Sequence, residues 1–148
     1  MRIRRATLAD IPALTALEKH AATAAHWSLQ QYEAAFSAEA PSRVVLILEE
    51  EAGVQAFIAG RALGEEWEIE NIAVAGPVRR RGLGARLLGE FLDLARGGGA
   101  KAVFLEVRES NLAARRLYEN WAFVESGRRR RYYREPEEDA IVYRLGLA

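Results

Sequence analysis

The stretch Val74-Ala75-Gly76-Pro77-Val78-Arg79-Arg80-Arg81-Gly82-Leu83-Gly84-Ala85 organises the reading of the whole chain. An alternating segment ends in it, a turn follows, and a helix begins among arginines and two glycines. Glycine removes side-chain bulk and lets a ligand approach the backbone. The first amides of a helix have no intrahelical partner, and the helix dipole adds attraction for anions. Arginine contributes charge and paired donors. A pyrophosphate fits such a turn. No Gly-x-x-x-x-Gly-Lys-Ser/Thr motif is present, and no glycine fingerprint follows the first strand, so a P-loop and a dinucleotide fold are both unsupported. Taken alone, the segment is also compatible with an ordinary helix start among solvated arginines.

Upstream, Ile3 to Thr7 has the length of an edge strand. Asp10 is expected to cap a helix carrying Leu14, Leu17 and Ala21, with Pro12 tolerated in its first turn. Ser28 and Gln31 form a capping-box pattern that opens a second short helix through Tyr32, Ala35 and Phe36. Three strand-like runs follow, Arg43 to Leu48, Val54 to Leu63 and Trp67 to Val74, joined by turns short enough for antiparallel neighbours. Downstream the period changes. Leu83, Leu87, Leu88, Phe91 and Leu94 make one helical stripe, stopped by Gly97-Gly98-Gly99. Lys101 to Val107 reads as a strand and Asn111 to Trp121 as a helix. Phe123 to Tyr133 and Ala140 to Leu147 read as closing strands. The order β-α-α-β-β-β-α-β-α-β-β predicts an α+β domain with a mixed sheet, since only the later helices provide crossover lengths.

The chain has 148 residues, 21 basic against 21 acidic side chains, and no cysteine. That length suits one domain over 1–148 with a sizeable core. Zero net charge argues against nucleic-acid binding by bulk electrostatics. The missing cysteines remove disulfides, Cys-based metal sites and a thiol nucleophile together. No apolar run approaches the roughly 20 residues that span a bilayer, and Met1-Arg2-Ile3-Arg4-Arg5 leads into no apolar signal region. The expectation is a soluble cytoplasmic protein, monomeric or weakly dimeric. Nineteen of the 21 basic residues are arginine and 18 of the 21 acids glutamate, with arginine clusters at Arg79-Arg80-Arg81 and from Arg128 to Arg131.

Several segments agree with one family. Arg79-Arg80-Arg81-Gly82-Leu83-Gly84 matches the Arg/Gln-x-x-Gly-x-Gly/Ala loop of the GNAT superfamily of N-acetyltransferases, and Leu105 to Asn111 and Ala113 to Glu119 match its next blocks in order. The chain resembles the RimI-type N-terminal alanine acetyltransferases of bacterial ribosomal proteins through five segments. These are His26-Trp27-Ser28, Asn71-Ile72-Ala73-Val74, Leu105-Glu106-Val107-Arg108, Arg131-Tyr132-Tyr133 and Glu138-Asp139-Ala140-Ile141. The resemblance implies a mostly antiparallel sheet of about seven strands flanked by four helices and splayed between the fourth and fifth strands. It implies an acetyl-CoA-dependent acyltransferase acting on a protein N-terminus, with a ribosomal protein as partner and no nucleic-acid or membrane contact. An acetyltransferase for a small amine or polyamine, and a non-catalytic acyl-CoA-binding regulatory domain, are the competing readings.

The resemblance also assigns roles. Arg79, Arg80, Arg81, Gly82, Leu83, Gly84 and Ala85 would hold the pyrophosphate, while Ile72, Ala73 and Val74 would line the pantetheine arm and offer an amide to the thioester carbonyl. Asn111 would cap its helix and contact the same arm. Tyr118 matches the general acid, since a phenol is protonated at neutral pH. Glu106 matches the base for an amino terminus whose pKa is about 7.7–8.0, directly or through water. Glu68 and Glu70, alternating on one face of the neighbouring strand, are its reserves. Trp27, Tyr132 and Tyr133 match the lining of the acceptor groove. Each of these side chains also has a plain packing or ion-pair reading. His20 and His26 show no metal-ligand spacing, and the transfer needs no metal. Three departures stand out. His26 replaces a common proline, and Gly76-Pro77 places its proline one position late. Trp121-Ala122-Phe123 replaces the common Leu-Gly-Phe, which can alter the helix exit, because glycine reaches left-handed angles that alanine avoids.

Overall fold

The computed structural model describes residues 1–19, 28–36, 42–76 and 82–147. Seven strands form one sheet: β1 (Arg2–Arg5), β2 (Arg43–Glu50), β3 (Gly53–Leu63), β4 (Glu66–Val74), β5 (Ala102–Arg108), β6 (Val124–Tyr133) and β7 (Glu138–Gly146), in the order β1-β2-β3-β4-β5-β7-β6. All neighbours are antiparallel except β4 and β5. The helices are α1 (Ile11–Lys19), α2 (Leu29–Ala35), α3 (Leu83–Gly97) and α4 (Leu112–Asn120). The α+β architecture expected from the sequence is therefore the one observed, with strand boundaries shifted by at most two residues.

Alternation in the strands separates two cores. One lies under α3 and α4 and contains Leu46, Ile58, Ile69, Leu87, Phe91 and Leu105. The other lies under α1 and α2 and contains Leu14, Tyr32, Ile47, Phe57 and Ala73. Gly60 lets α3 approach the sheet. A Cβ there would stand 2.4 Å from the Glu68 carbonyl and 2.6 Å from the Phe91 ring.

The strand β4 is the irregular one. Its register with β3 slips between Ala59↔Asn71 and Gly60↔Ile69, which leaves Glu70 as an extra residue. Before the slip, Trp67 and Ile69 face the α3 core; after it, Ala73 faces the α1 core and Ile72 and Val74 turn toward α3. Pairing of β4 with β5 runs from Glu66↔Ala102 to Ile69↔Leu105 and stops there. The two strands part at the slip, where the splay was expected.

One expected cap is different. Asp10 does not open α1 as its cap. It closes a 3-10 turn, Leu8–Asp10, and its carboxylate reaches back to accept from the Thr7 amide at 2.7 Å. Arg4 pairs with it at 2.9 Å and holds it below the usual carboxylate range. Ser28 and Gln31 form the expected reciprocal box.

Helix ends follow one rule with two different residues. After α3, the amide of Ala100 bonds to the Ala95 carbonyl and that of Gly99 to the Arg96 carbonyl, with Gly99 at φ 85°. After α4, the amide of Phe123 bonds to the Tyr118 carbonyl and that of Ala122 to the Glu119 carbonyl, with Ala122 at φ 71°. Both are Schellman ends. Alanine therefore keeps the left-handed exit rather than altering it, at a steric cost of about 1–2 kcal/mol. Replacing it, Ala122→Gly, is expected to stabilise the protein by about 0.5–1 kcal/mol, because glycine returns part of that gain as unfolded-chain entropy. The gain should appear as a higher urea midpoint at unchanged slope; an unchanged or lower midpoint counts against strain at this position.

Candidate active site

The opening between β4 and β5 is bordered by the ends of three elements. Ile72 and Val74 come from β4, the first turn of α3 packs over them, and Leu117 of α4 closes the side. A Cβ on Gly84 would lie 3.6 Å from Leu117, 3.7 Å from Val74 and 3.9 Å from Ile72, which are ordinary contacts. Leu83 is buried in the α3 core and anchors this turn. The first bond of α3 runs from the Arg86 amide to the Gly82 carbonyl at 3.1 Å, so the amides of Leu83, Gly84 and Ala85 precede it. Those amides and the helix dipole form an anion-binding end. Gly82 stands at φ 77° with nothing within 4 Å of a Cβ position. It is needed for its backbone angle, whereas Gly84 has room for a methyl group. Arg79, Arg80, Arg81 and Trp27, like His20 and His26, lie outside the described residues.

Asn111 caps α4 as expected, accepting from the Ala114 amide at 3.2 Å. Tyr118 follows two turns later and is 3% exposed. The Schellman exit holds its ring against Phe123, centroids 5.6 Å apart, and Tyr143 flanks it at 6.3 Å. Burial pushes its phenol well above the ordinary tyrosine value, and the nearby Tyr133 phenol adds to the shift. The proton is held throughout the physiological range.

Glu106 points from β5 to the face of the sheet opposite α3, its neighbours Leu105 and Val107 being in the α3 core. Tyr132 and Tyr133 stand over it from β6. Burial first, and then the Glu106 charge, push both phenols up, that of Tyr133 to about 12. The Arg108 guanidinium stacks 4.4 Å from the Tyr133 ring centre. Glu68 and Glu70 share the same face, and Glu68 adds its charge to the surroundings of Tyr132. The structure brings Glu68, Glu70, Glu106, Tyr132 and Tyr133 to one side of the sheet and Tyr118 to the adjoining helix.

Arginines reach every one of these carboxylates. Arg61 pairs with Glu68 at 2.8 Å and lies 3.9 Å from Glu70; Arg43 also pairs with Glu70. Burial nevertheless pushes the Glu70 carboxyl above its ordinary value. Arg129 of β6 lies 2.8 Å from Glu106. Sequence spacing missed these partners, because each depends on cross-strand register: Arg61↔Glu68 across β3 and β4, and Arg129↔Ala140↔Arg108 across β6, β7 and β5. A buried pair between Glu18 of α1 and Asn71 was missed because it depends on how the helix packs on the sheet.

The pattern of the acetyltransferase (GNAT) family matches residues 11–123. The chain belongs to that family. It is an acyltransferase whose acyl donor is acetyl-CoA. It is 35% identical over 141 residues to the [ribosomal protein bS18]-alanine N-acetyltransferase of Salmonella typhimurium, covering 94% of this chain and 93% of that one. A stretch of 85 residues is 47% identical to the N-alpha-acetyltransferase RimI of Mycobacterium tuberculosis, covering 57% of this chain and 52% of that protein. The crystal structure of the ribosomal-protein-S18-alanine N-acetyltransferase from Escherichia coli superimposes with a TM-score of 0.89 at 32% identity, covering 99% of this chain and 94% of that one. Among the described residues no cluster of three or more His, Asp or Glu side chains is placed to hold a metal, and no helix is long and apolar enough to cross a membrane.

The two glycines of the α3 turn separate in a simple experiment. Gly82→Ala is expected to weaken coenzyme A binding about tenfold, the equivalent of the left-handed penalty. Gly84→Ala is expected to stay within about twofold, since its methyl meets only ordinary contacts. Calorimetric titration distinguishes the two; equal losses would mean that backbone angle is not what Gly82 contributes.

Proposed function

We propose that the chain acetylates the N-terminal α-amine of a protein, a bacterial ribosomal protein beginning with alanine, in the cytoplasm and within one domain over 1–148. The observation that carries this reading is the meeting of a carboxylate, Glu106, with the phenols of Tyr132 and Tyr133 at the parting of β4 and β5, with the buried, protonated Tyr118 phenol near Tyr133. The names of the Salmonella and Escherichia coli relatives support the acceptor.

Each group has a task that its surroundings suit. Acetyl-CoA supplies an activated acyl group as a thioester. The amides of Leu83, Gly84 and Ala85 bind its pyrophosphate, with Arg79, Arg80 and Arg81 at the rim. The backbone of Ile72, Ala73 and Val74 lines the pantetheine arm, and an amide near Ala73 or Val74 faces the carbonyl oxygen, where negative charge develops. Asn111 borders the same arm. Glu106 takes the proton of the incoming ammonium, directly or through water, as nitrogen bonds to the acyl carbon. Tyr118 gives its proton to sulfur as the carbon–sulfur bond breaks, and the second proton that leaves the nitrogen restores the phenol. Burial ensures that this phenol carries its proton when the bond breaks. No cysteine is present to carry the acyl group, which favours direct transfer. Trp27, Glu68, Glu70, Tyr132 and Tyr133 border the acceptor. Tyr132 is 49% exposed, so the cluster opens outward, as an extended peptide end requires and an enclosed small-amine pocket would not.

The reading is tested with a peptide library and mass-spectrometric mapping. Acetyl groups are expected on α-amines, with alanine-first peptides preferred; modification confined to lysine side chains or small amines would reject the acceptor. The Tyr118→Phe variant is expected to lose about a hundredfold or more in kcat while binding acetyl-CoA within about twofold of wild type. Retained turnover would remove Tyr118 from the proton path.

A further inference from the structure

We propose that Arg129 is a built-in competitor for the acceptor: its guanidinium occupies the cation position at Glu106 that the substrate ammonium must take. The inference rests on the acceptor chemistry proposed above and adds a residue that sets how tightly the acceptor binds.

The two partners of this pair are unequal. The Glu106 side chain is 14% exposed and fixed in the middle of the sheet, whereas that of Arg129 is 59% exposed. Glu106 stands one residue past the last pairing of β5 with β4, with Val142 as its paired neighbour on β7. Arg129 comes from β6, the outermost strand, and reaches Glu106 across β7, where the intervening residue on its rung is the small Ala140. The register of β6 with β7 slips just after Arg129, between it and Tyr133. The cation is thus carried by an edge segment and the anion by a central strand.

Its surroundings mark the pair as exchangeable. Arg129 lies 5.3 Å from the centre of the Tyr132 ring, a face that holds a cation as it moves off the carboxylate. The neighbouring Arg128 is tied differently, between Glu109 at 2.6 Å and Asp139 at 2.8 Å, and its rung partner Ile141 faces the α3 core. An ion pair with one well-exposed partner contributes little, and is exchanged for another cation at little cost. A charged acceptor also replaces the Arg129 charge one for one, so the buried carboxylate is never left unpaired. An uncharged molecule of the same shape offers no such replacement.

Two readouts test this. In steady-state kinetics with an alanine-first peptide, Arg129→Ala is expected to lower the acceptor KM about three- to fivefold and raise kcat/KM accordingly, while Arg129→Lys stays near wild type. A raised or unchanged KM in Arg129→Ala would overturn the proposal, the former by showing that Arg129 holds the acceptor. The second readout needs no turnover. The Arg129 side-chain NMR signal in the acetyl-CoA-free protein should move on titration with alaninamide toward its position in Glu106→Gln, and should stay in place with N-acetyl-alaninamide. No movement with alaninamide, or equal movement with both, would overturn the proposal. Because the signal is read without acetyl transfer, a wrong assignment of the reaction and a wrong assignment of Arg129 give different results.

Discussion

The constraint on which the site depends is the end of pairing between β4 and β5. A parallel pair is held by evenly spaced bonds, and here it lasts only four rungs, to Ile69↔Leu105. Beyond that point β4 follows β3, while β5 follows β7 toward the other edge. The extra residue Glu70 produces the change, since a bulge bends its strand and increases local twist. Two consequences follow from the same event. A gap opens for an extended ligand arm between the strands, and the faces of β4 exchange, so that Ile72 and Val74 meet the start of α3. The bulge thus sets both the slot and the helix end that borders it.

The second half of the site is held by a helix exit. A Schellman end is usually accompanied by an apolar contact between the residue two beyond the cap and one in the last turn. In α4 those residues are Phe123 and Tyr118. The contact that ends the helix is therefore the one that seats the phenol, and the burial that comes with it keeps the proton on. This explains why alanine at 122 is tolerated with a left-handed angle. The two amide bonds and the ring contact together outweigh the strain of one residue.

Local chemistry in the chain made much of this legible. The caps of Ser28 and Asn111 are written in single side chains and their neighbours, and both form. Period-2 alternation marked β4 as a strand, but concealed its most important feature. Buried residues recur at every odd position from Trp67 to Ala73, without a break. The alternation is continuous although the core it points into changes at Glu70, because both faces of the sheet are covered. A pattern of buried and exposed positions has no term for which face is buried. Asp10 shows a related limit: a residue three positions into a turn can cap backward as readily as forward, and Arg4 favours the backward position.

Charge is where pattern and structure differ most. Glutamates at the acceptor side suggest a negative surface that draws in an ammonium ion by its field. The structure instead provides a guanidinium for each one: Arg61 for Glu68, Arg43 for Glu70 and Arg129 for Glu106. A field summed over such pairs is weak beyond a Debye length of about 8 Å at physiological salt. Neutral pairing has a reason in folding, since half-buried carboxylates without partners would repel one another and resist ionisation. It also changes what recognition requires. Selection for a cation then rests on exchange at short range, where a compact ammonium can enter between phenols more easily than a guanidinium tethered to an edge strand. The neutrality of the whole chain, 21 against 21, is repeated locally at the site, and local neutrality is what makes a one-for-one exchange of cations possible without a change in net charge.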